Sequence, residues 1–311
     1  MNTAYNTVTL RKEKVVENQF FQPNDYYLKR TIAASSSHDP SIHSLSYIRM
    51  TSRKGLSCYR GKFCDVLFSL HPNNDDEFII YPPKNKQGYF DIKELVQTLK
   101  ATKKRVNIIR IPEEISSYAA SIVGGKLSLN TDLDYAYPVH IIDTGALSEM
   151  KGTKFMKFRN KIKAAIKEGT EIRQTNFTKQ DTLNMRNVLS EWAPVLFGKD
   201  HESDTDYIEY VFNKLLFYPN IRGLISERSG TPNGFTIWEE PQEGYDTANS
   251  LIHCSLRQRG VSELLHLRMA EILRNKGIAY LSLGGAESKG LDDFKKKMHP
   301  IRSVVLNTIS A

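Results

Sequence analysis

The chain has 311 residues, 40% hydrophobic and 25% charged, with a net charge of +8 and an isoelectric point of 9.2. That length predicts two domains or one large one, and the composition is that of a soluble globular protein. No apolar run approaches the roughly 20 residues that span a bilayer. The opening MNTAYNTVTLRKEK has no signal-peptide core. The expected place is therefore the cytoplasm. Cys58, Cys64 and Cys254 form no CxxC pair, which argues against a disulfide framework and a cysteine-rich zinc site. The positive charge favours an acidic partner: nucleic acid, an anionic lipid surface or a phosphorylated cofactor.

Residues 1–20 are polar and irregular, and a helical stretch from Tyr26 to Ala34 runs into SSSHDPS, a loop by composition. Short β-like runs follow, FCDVLFSL and EFIIYPP. A helix is then predicted from Asp91 to about Lys103, with Ile92, Leu95, Val96 and Leu99 on one face, ahead of VNIIRI as a buried strand. The first half thus predicts a strand, helix, strand unit.

Residues 151–168 are rich in lysine. Phe155, Phe158, Ile162 and Ile166 fall at helical spacing on one face. Lys154, Lys157, Arg159, Lys161, Lys163 and Lys167 lie elsewhere around the helix with almost no acidic i,i+4 partners. Two readings stand: a solvated helix that aids solubility, or a track for tRNA phosphates or anionic headgroups. Next come a strand at TEIRQTN, a helix capped by Thr178 and Asp181 and running toward Trp192, and a helix from Asp206 to Phe217. IRGLISERS, GFTIWEE and TANSLIHCSL read as three strands. The helix Ser262 to Lys276 ends at Gly277, a residue suited to a left-handed cap. IAYLSLGG is a strand, GLDDFKKK a short helix and SVVLNTI a last strand. The order β-α-α-β-β-β-α-β-α-β over residues 170–311 resembles the topology of the GCN5-related N-acyltransferase (GNAT) fold.

Between the third strand of that run and its helix stands RQRGVS, Arg257 to Ser262. It is close to the R/Q-x-x-G-x-G/A pattern by which acyltransferases of this fold hold a pyrophosphate. A helix N-terminus offers unpaired N–H groups and a positive dipole end, and Gly260 lets the backbone come close. Ser262, at the last small position, also makes a good N-cap, so a well-capped helix and nothing more is the competing reading. In the first half KQGYFD precedes a helix, a basic turn and VNIIRIP in the same way. The expected architecture is therefore α/β (α+β), tandem GNAT domains, each a mixed twisted sheet flanked by helices. Its division is an irregular segment 1–20, a first domain 21–150, a basic connecting helix 151–169, and a second domain 170–311 that carries the site.

DYAYPVHIIDT (Asp134 to Thr144), KGTKFMKFRNKIKAA (Lys151 to Ala165) and YLSLGGAESKGLDDFKKKMHP (Tyr280 to Pro300) carry a closer resemblance. On these segments the chain resembles the C-terminal domain family of phosphatidylglycerol lysyltransferases and its soluble relatives. It is more distantly similar to the Fem peptidyltransferases, which add amino acids to cell-wall precursors. The resemblance implies transfer of an aminoacyl group from aminoacyl-tRNA to an amine or hydroxyl, with no metal and no further cofactor. Phe294 and Lys295 match a Phe-Lys pair of the catalytic region in those enzymes. Lys297 and Pro300 match the lysyltransferase version, and Met298 replaces its usual aromatic with similar volume.

The remaining site residues follow from local chemistry. LGGAESKGLDDFKKK follows a buried strand, where open α/β sheets bind ligands. Gly284 and Gly285 let the backbone turn or approach a ligand, and Glu287, Ser288, Asp292 and Asp293 supply polar groups. Lys295 is expected to reach the cleft as the catalytic cation, with Lys297 as a helper or phosphate ligand and Lys296 solvated. Asp134 and Tyr137 offer a carboxylate and a phenol to an amino-acid substrate, or else belong to a strand's alternating faces. Arg257, Arg259, Gly260, Lys154, Lys157, Arg159 and Lys161 are the expected phosphate or tRNA contacts. His253 and His266 read as core or surface residues. An acyl-CoA-dependent N-acyltransferase using the RQRGVS turn, and a non-catalytic module binding RNA or an anionic membrane, are the alternative functions.

Overall fold

The computed structural model describes residues 19–24, 27–28, 44–83, 85–128, 133, 135–197, 203–242 and 245–311. It contains two compact units, one of residues up to Pro138 together with Val304–Ala311, the other Val139–Ser303. This division differs from the one expected. It falls at Pro138 rather than near residue 150, the basic helix joins the second unit, and the C-terminal residues return to the first.

The first unit holds strands β1 (Phe20–Phe21), β2 (Leu56–Arg60), β3 (Asp65–His71), β4 (Asn74–Ile80), β5 (Arg105–Pro112), β6 (Lys126–Ser128) and β14 (Leu306–Ser310) in the order β1-β2-β3-β4-β5-β14-β6. Its helices are α1 (Leu45–Thr51), α2 (Gly88–Lys100) and α3 (Glu113–Val123). Pairing is antiparallel except between β4 and β5, which run parallel from Glu77↔Arg105 to Ile80↔Ile108. A parallel pair needs a crossover, and α2 supplies it. Ile92, Leu95, Val96 and Leu99 face the core with Phe78, Ile80 and Val106, as their spacing predicts.

The second unit begins with β7 (Val139–Asp143), α4 (Thr144–Glu149), α5 (Met156–Lys167) and β8 (Thr170–Gln174). It continues through α6 (Lys179–Phe197), α7 (Ser203–Asn213), β9 (Ile221–Arg228), β10 (Thr231–Glu239) and β11 (Thr247–Ser255). Then come α8 (Val261–Asn275), β12 (Tyr280–Ser282), α9 (Lys289–Lys296) and β13 (Arg302–Val304), and the sheet order is β13-β7-β12-β11-β10-β9-β8. Here β11 and β12 are the parallel pair and α8 the crossover. Both units therefore use one plan: a four-stranded antiparallel meander, a helix, a parallel strand, then an antiparallel strand beside it. The caps form as their residue types predict: Thr178 Oγ1 accepts from Asp181 N at 3.1 Å, and Gly277 has φ 75°. The last strand does not. SVVLNTI, expected in the second domain, is split: β13 joins the second sheet and β14 inserts between β5 and β6 of the first.

Candidate active site

The parallel pair β11/β12 spans only Thr247↔Tyr280, Ala248↔Leu281 and Asn249↔Ser282. β11 continues to Ser255, whereas β12 stops at Ser282, so the pairing ends there and the two strands part. The chain beyond β12 is held instead from the β7 side. Leu283 N donates to His140 O at 2.8 Å, and His140 N donates to Gly284 O at 3.3 Å. Gly284 takes φ 66°, in the left-handed region open to glycine. Ser288 then caps α9, its hydroxyl accepting from Leu291 N at 3.3 Å.

Lys295 reaches back from α9 to the carbonyls of this segment. Its ammonium donates to Leu283 O at 2.7 Å, to Gly284 O at 3.4 Å and to Gly285 O. Removal from water pushes its amine down to about 8, against the pull of Glu287 and Asp292, which favour the charge. Asp292 is buried with both oxygens engaged: Oδ1 accepts from His140 Nε2 at 2.7 Å and Oδ2 from Lys296 Nζ at 2.6 Å. Burial alone would raise its carboxyl, but Lys296 and His140 outweigh it and hold the group below its ordinary range. The other nitrogen of His140 lies 2.8 Å from Ser303 Oγ.

On the α8 side two imidazoles stack, His253 and His266, with ring centroids 3.9 Å apart. His253 Nε2 meets Ser262 Oγ at 2.7 Å, and its Nδ1 is sealed from solvent without a partner. His266 Nδ1 lies 2.9 Å from Ser262 O, and a carbonyl only accepts, so this nitrogen carries the hydrogen. Phe294 stands edge-on to His266 at 5.6 Å. Burial, then the neighbouring His266 and Lys295, put His253 well below the ordinary imidazole range. Burial and Lys295 bring His266 to about 4, although its bond to Ser262 O and the charge of Glu263 oppose this. Both rings are neutral near pH 7.

Of the residues expected from sequence, the structure gathers Gly284, Gly285, Phe294 and Lys295 at one place, with exposed Glu287 and Ser288 in the connecting loop. Lys297 is exposed at the C-terminal end of α9. Asp292 faces inward, bound to His140 and Lys296, rather than toward a substrate. Lys296, expected to be merely solvated, is its ion-pair partner. Arg257 and Arg259 are exposed before α8, while Gly260 is buried at φ 82°, and a Cβ there would collide with the Lys161 backbone carbonyl. Lys154, in the 3-10 turn before α5, and Lys157, Lys163 and Lys167 on α5 are exposed. Lys161 pairs with Glu263 at 2.5 Å, and Arg159 donates to the carbonyls of Met150 and Gly152. Ile166 is 52% exposed, with Ala165 taking its place in the core. Tyr137 is half-buried in the first unit, and Asp134 lies outside the described residues. His140, His253 and His266 carried no motif. The one signal for His140 was a lone histidine inside the apolar run VHII.

A family model for the C-terminal region of phosphatidylglycerol lysyltransferase matches residues 36–310. The chain belongs to this family. Among solved structures it resembles L-PGS from Bacillus licheniformis at 13% identity, covering 93% of this chain and 92% of that one with a TM-score of 0.65. FemX is similar at 11% identity, 94% and 96% coverage and a TM-score of 0.66. A tandem GNAT protein from the clavulanic acid biosynthesis pathway is similar at 10% identity, 94% and 98% coverage and a TM-score of 0.56. No curated protein matches the sequence. The fold is a tandem GNAT fold, and the family is one of acyltransferases. Among the described residues no helix is long and apolar enough to cross a membrane, and no group of three or more His, Cys, Asp or Glu is placed to hold a metal ion.

Proposed function

We propose that the chain is an aminoacyltransferase that takes an aminoacyl group from aminoacyl-tRNA and passes it to an amine or hydroxyl of a lipid headgroup, a peptide or a small molecule. The observation that carries this reading is the Lys295 ammonium, held at the carbonyl ends of Leu283–Gly285 where β11 and β12 part. Family membership supports the reaction class, and the exposed lysines of α5 suit the phosphates of an RNA donor. The acyl-CoA alternative draws less support, because the Lys161 carbonyl lies against Gly260, where a pyrophosphate would approach.

In the proposed reaction the acceptor's lone pair attacks the ester carbonyl that joins the amino acid to the tRNA ribose. A C–N or C–O bond forms and the carbonyl oxygen becomes an oxyanion. The C–O bond to the ribose then breaks, and the ribose hydroxyl departs with the acceptor's proton. Lys295 has three N–H donors, and its longest contact, to Gly284 O, is the one an oxyanion would replace. In this reading the exposed Lys297 takes a terminal phosphate, and the exposed Glu287 accepts from the ammonium of the amino acid. The work takes place in the cytoplasm or at a membrane surface.

The test is transfer from a pool of radiolabelled aminoacyl-tRNAs into cell extract, with identification of the labelled product and calorimetry with acetyl-CoA in parallel. Lys295→Ala is expected to cut the rate of labelling about 10²–10³-fold with thermal stability nearly unchanged. A fully active Lys295→Ala, or tight binding of acetyl-CoA without transfer from any aminoacyl-tRNA, would sink the proposal.

A further inference from the structure

We propose that His140 is a positioning residue for Lys295: it ties the carbonyl segment Leu283–Gly285 and the helix α9 to one point on β7, and so seats the ammonium under those carbonyls. The inference rests on the reading of Lys295 as the transfer site. His140 holds the carbonyl segment by its backbone, through Leu283 N to His140 O at 2.8 Å and His140 N to Gly284 O at 3.3 Å. It holds α9 by its side chain, through Nε2 to Asp292 Oδ1 at 2.7 Å. Lys295 bridges the two things that His140 fastens.

The geometry explains why such a tie is needed. α9 has 8 residues, too few to keep its own orientation, so tertiary contacts must set it. Asp292 and Lys295 stand three apart, which places them on neighbouring lines of one helix face. A fixed Asp292 therefore fixes the rotation of α9 and the aim of Lys295. The carboxylate only accepts, so His140 Nε2 carries the hydrogen, and Nδ1 takes the hydroxyl hydrogen of Ser303 on β13. Lys296 occupies the remaining Asp292 oxygen. Ser, His and Asp are also the residue types of a nucleophilic triad, but here Lys296 neutralises the aspartate. Ser303 lies on the edge strand, so it serves as an anchor for the ring.

The test reads Lys295 directly, without any donor. Competitive labelling of the full chain with acetic anhydride, followed by peptide mass spectrometry, reports the titration of each lysine. Lys295 interacts with Glu287 of the connecting loop, Asp292 of its own helix, His253 from β11 and His266 from α8, so its midpoint senses its seating. In the wild type it is expected at about 8. In His140→Leu the freed ammonium regains water, the midpoint rises toward 10.5, and kcat falls about 10- to 100-fold with KM little changed. His140→Gln, which keeps a donor toward Asp292, is expected to restore both.

A folded His140→Leu in which Lys295 still titrates at about 8 overturns the proposal. If that variant does not fold, Asp292→Asn and Ser303→Ala are read instead, with smaller shifts in the same direction expected and no shift in either overturning it. Complete loss of transfer in Ser303→Ala with the Lys295 titration unmoved would make Ser303 the nucleophile and likewise overturn it. An active Lys295→Ala defeats the transfer reading alone, because the labelling readout does not depend on activity.

Discussion

An ammonium that donates to three carbonyls while partly stripped of water is a cation kept at a cost, and its chemistry follows from that. If Lys295 stabilises an oxyanion it must be protonated, so transfer is expected to decline as pH rises through about 8, once the acceptor's own titration is accounted for. Lys295→Ala should lose about 10²–10³ in kcat and flatten that limb, as measured by initial rates across pH. The stacked His253 and His266 act on stability. Both imidazoles stay neutral when folded and take up protons near 6.5 when unfolded. The unfolded chain therefore binds more protons between about 6.5 and about 4, and stability falls as pH drops through that window. Urea unfolding of His266→Phe at two pH values should show a weaker acid loss than wild type. Lys295 was legible in the sequence because it matches a Phe-Lys pair. His140 was not, because its partner Asp292 is 152 residues away and no local pattern encodes so distant a contact.

Elements follow local rules until a neighbour intrudes. The face of α2 is the predicted one, since Ile92, Leu95, Val96 and Leu99 fit a helical period and nothing competes. On α5 the stripe from Phe158 to Ile162 drifts onto Ala165 rather than Ile166, because 3.6 residues per turn brings the seventh residue closer to the core line than the eighth. The turn before α8 is a sharper case. Its glycine was read as room for a phosphate, and packing supplies a second reason for it: positive φ and the Lys161 carbonyl both exclude a side chain. Gly260→Ala is expected to cost more than about 1 kcal/mol in thermal or urea unfolding. The exposed lysines of α5 predict the opposite behaviour. Lys157→Glu and Lys163→Glu should leave stability within about 0.5 kcal/mol. Each should also reduce the salt slope of tRNA binding by about 1 in titrations at several ionic strengths.

At the scale of the molecule, the strand that completes the first sheet comes from the far end of the chain. β14 lies between β5 and β6 and buries Leu306, Thr308 and Ile309, so a chain ending at Val304 is expected to lose cooperative folding of the first unit. Limited proteolysis should then cut within residues 44–128 and spare the second unit, whose sheet keeps all of its strands, β13 included. Thermal unfolding would separate into two transitions, whereas an intact first unit would refute this role for β14. The sequence alone determined the core face of α2, the two strand-helix-strand repeats, the GNAT-like order and the choice of Lys295 as the candidate lysine. Each of these is written in residues a few positions apart, through periodicity, capping or a short motif. Only the tertiary structure decided which sheet takes the last strand, that Asp292 faces inward, and that His140 joins it to the carbonyls beneath which Lys295 sits. Those outcomes depend on pairings between residues distant in sequence, which exist only once the sheets have formed.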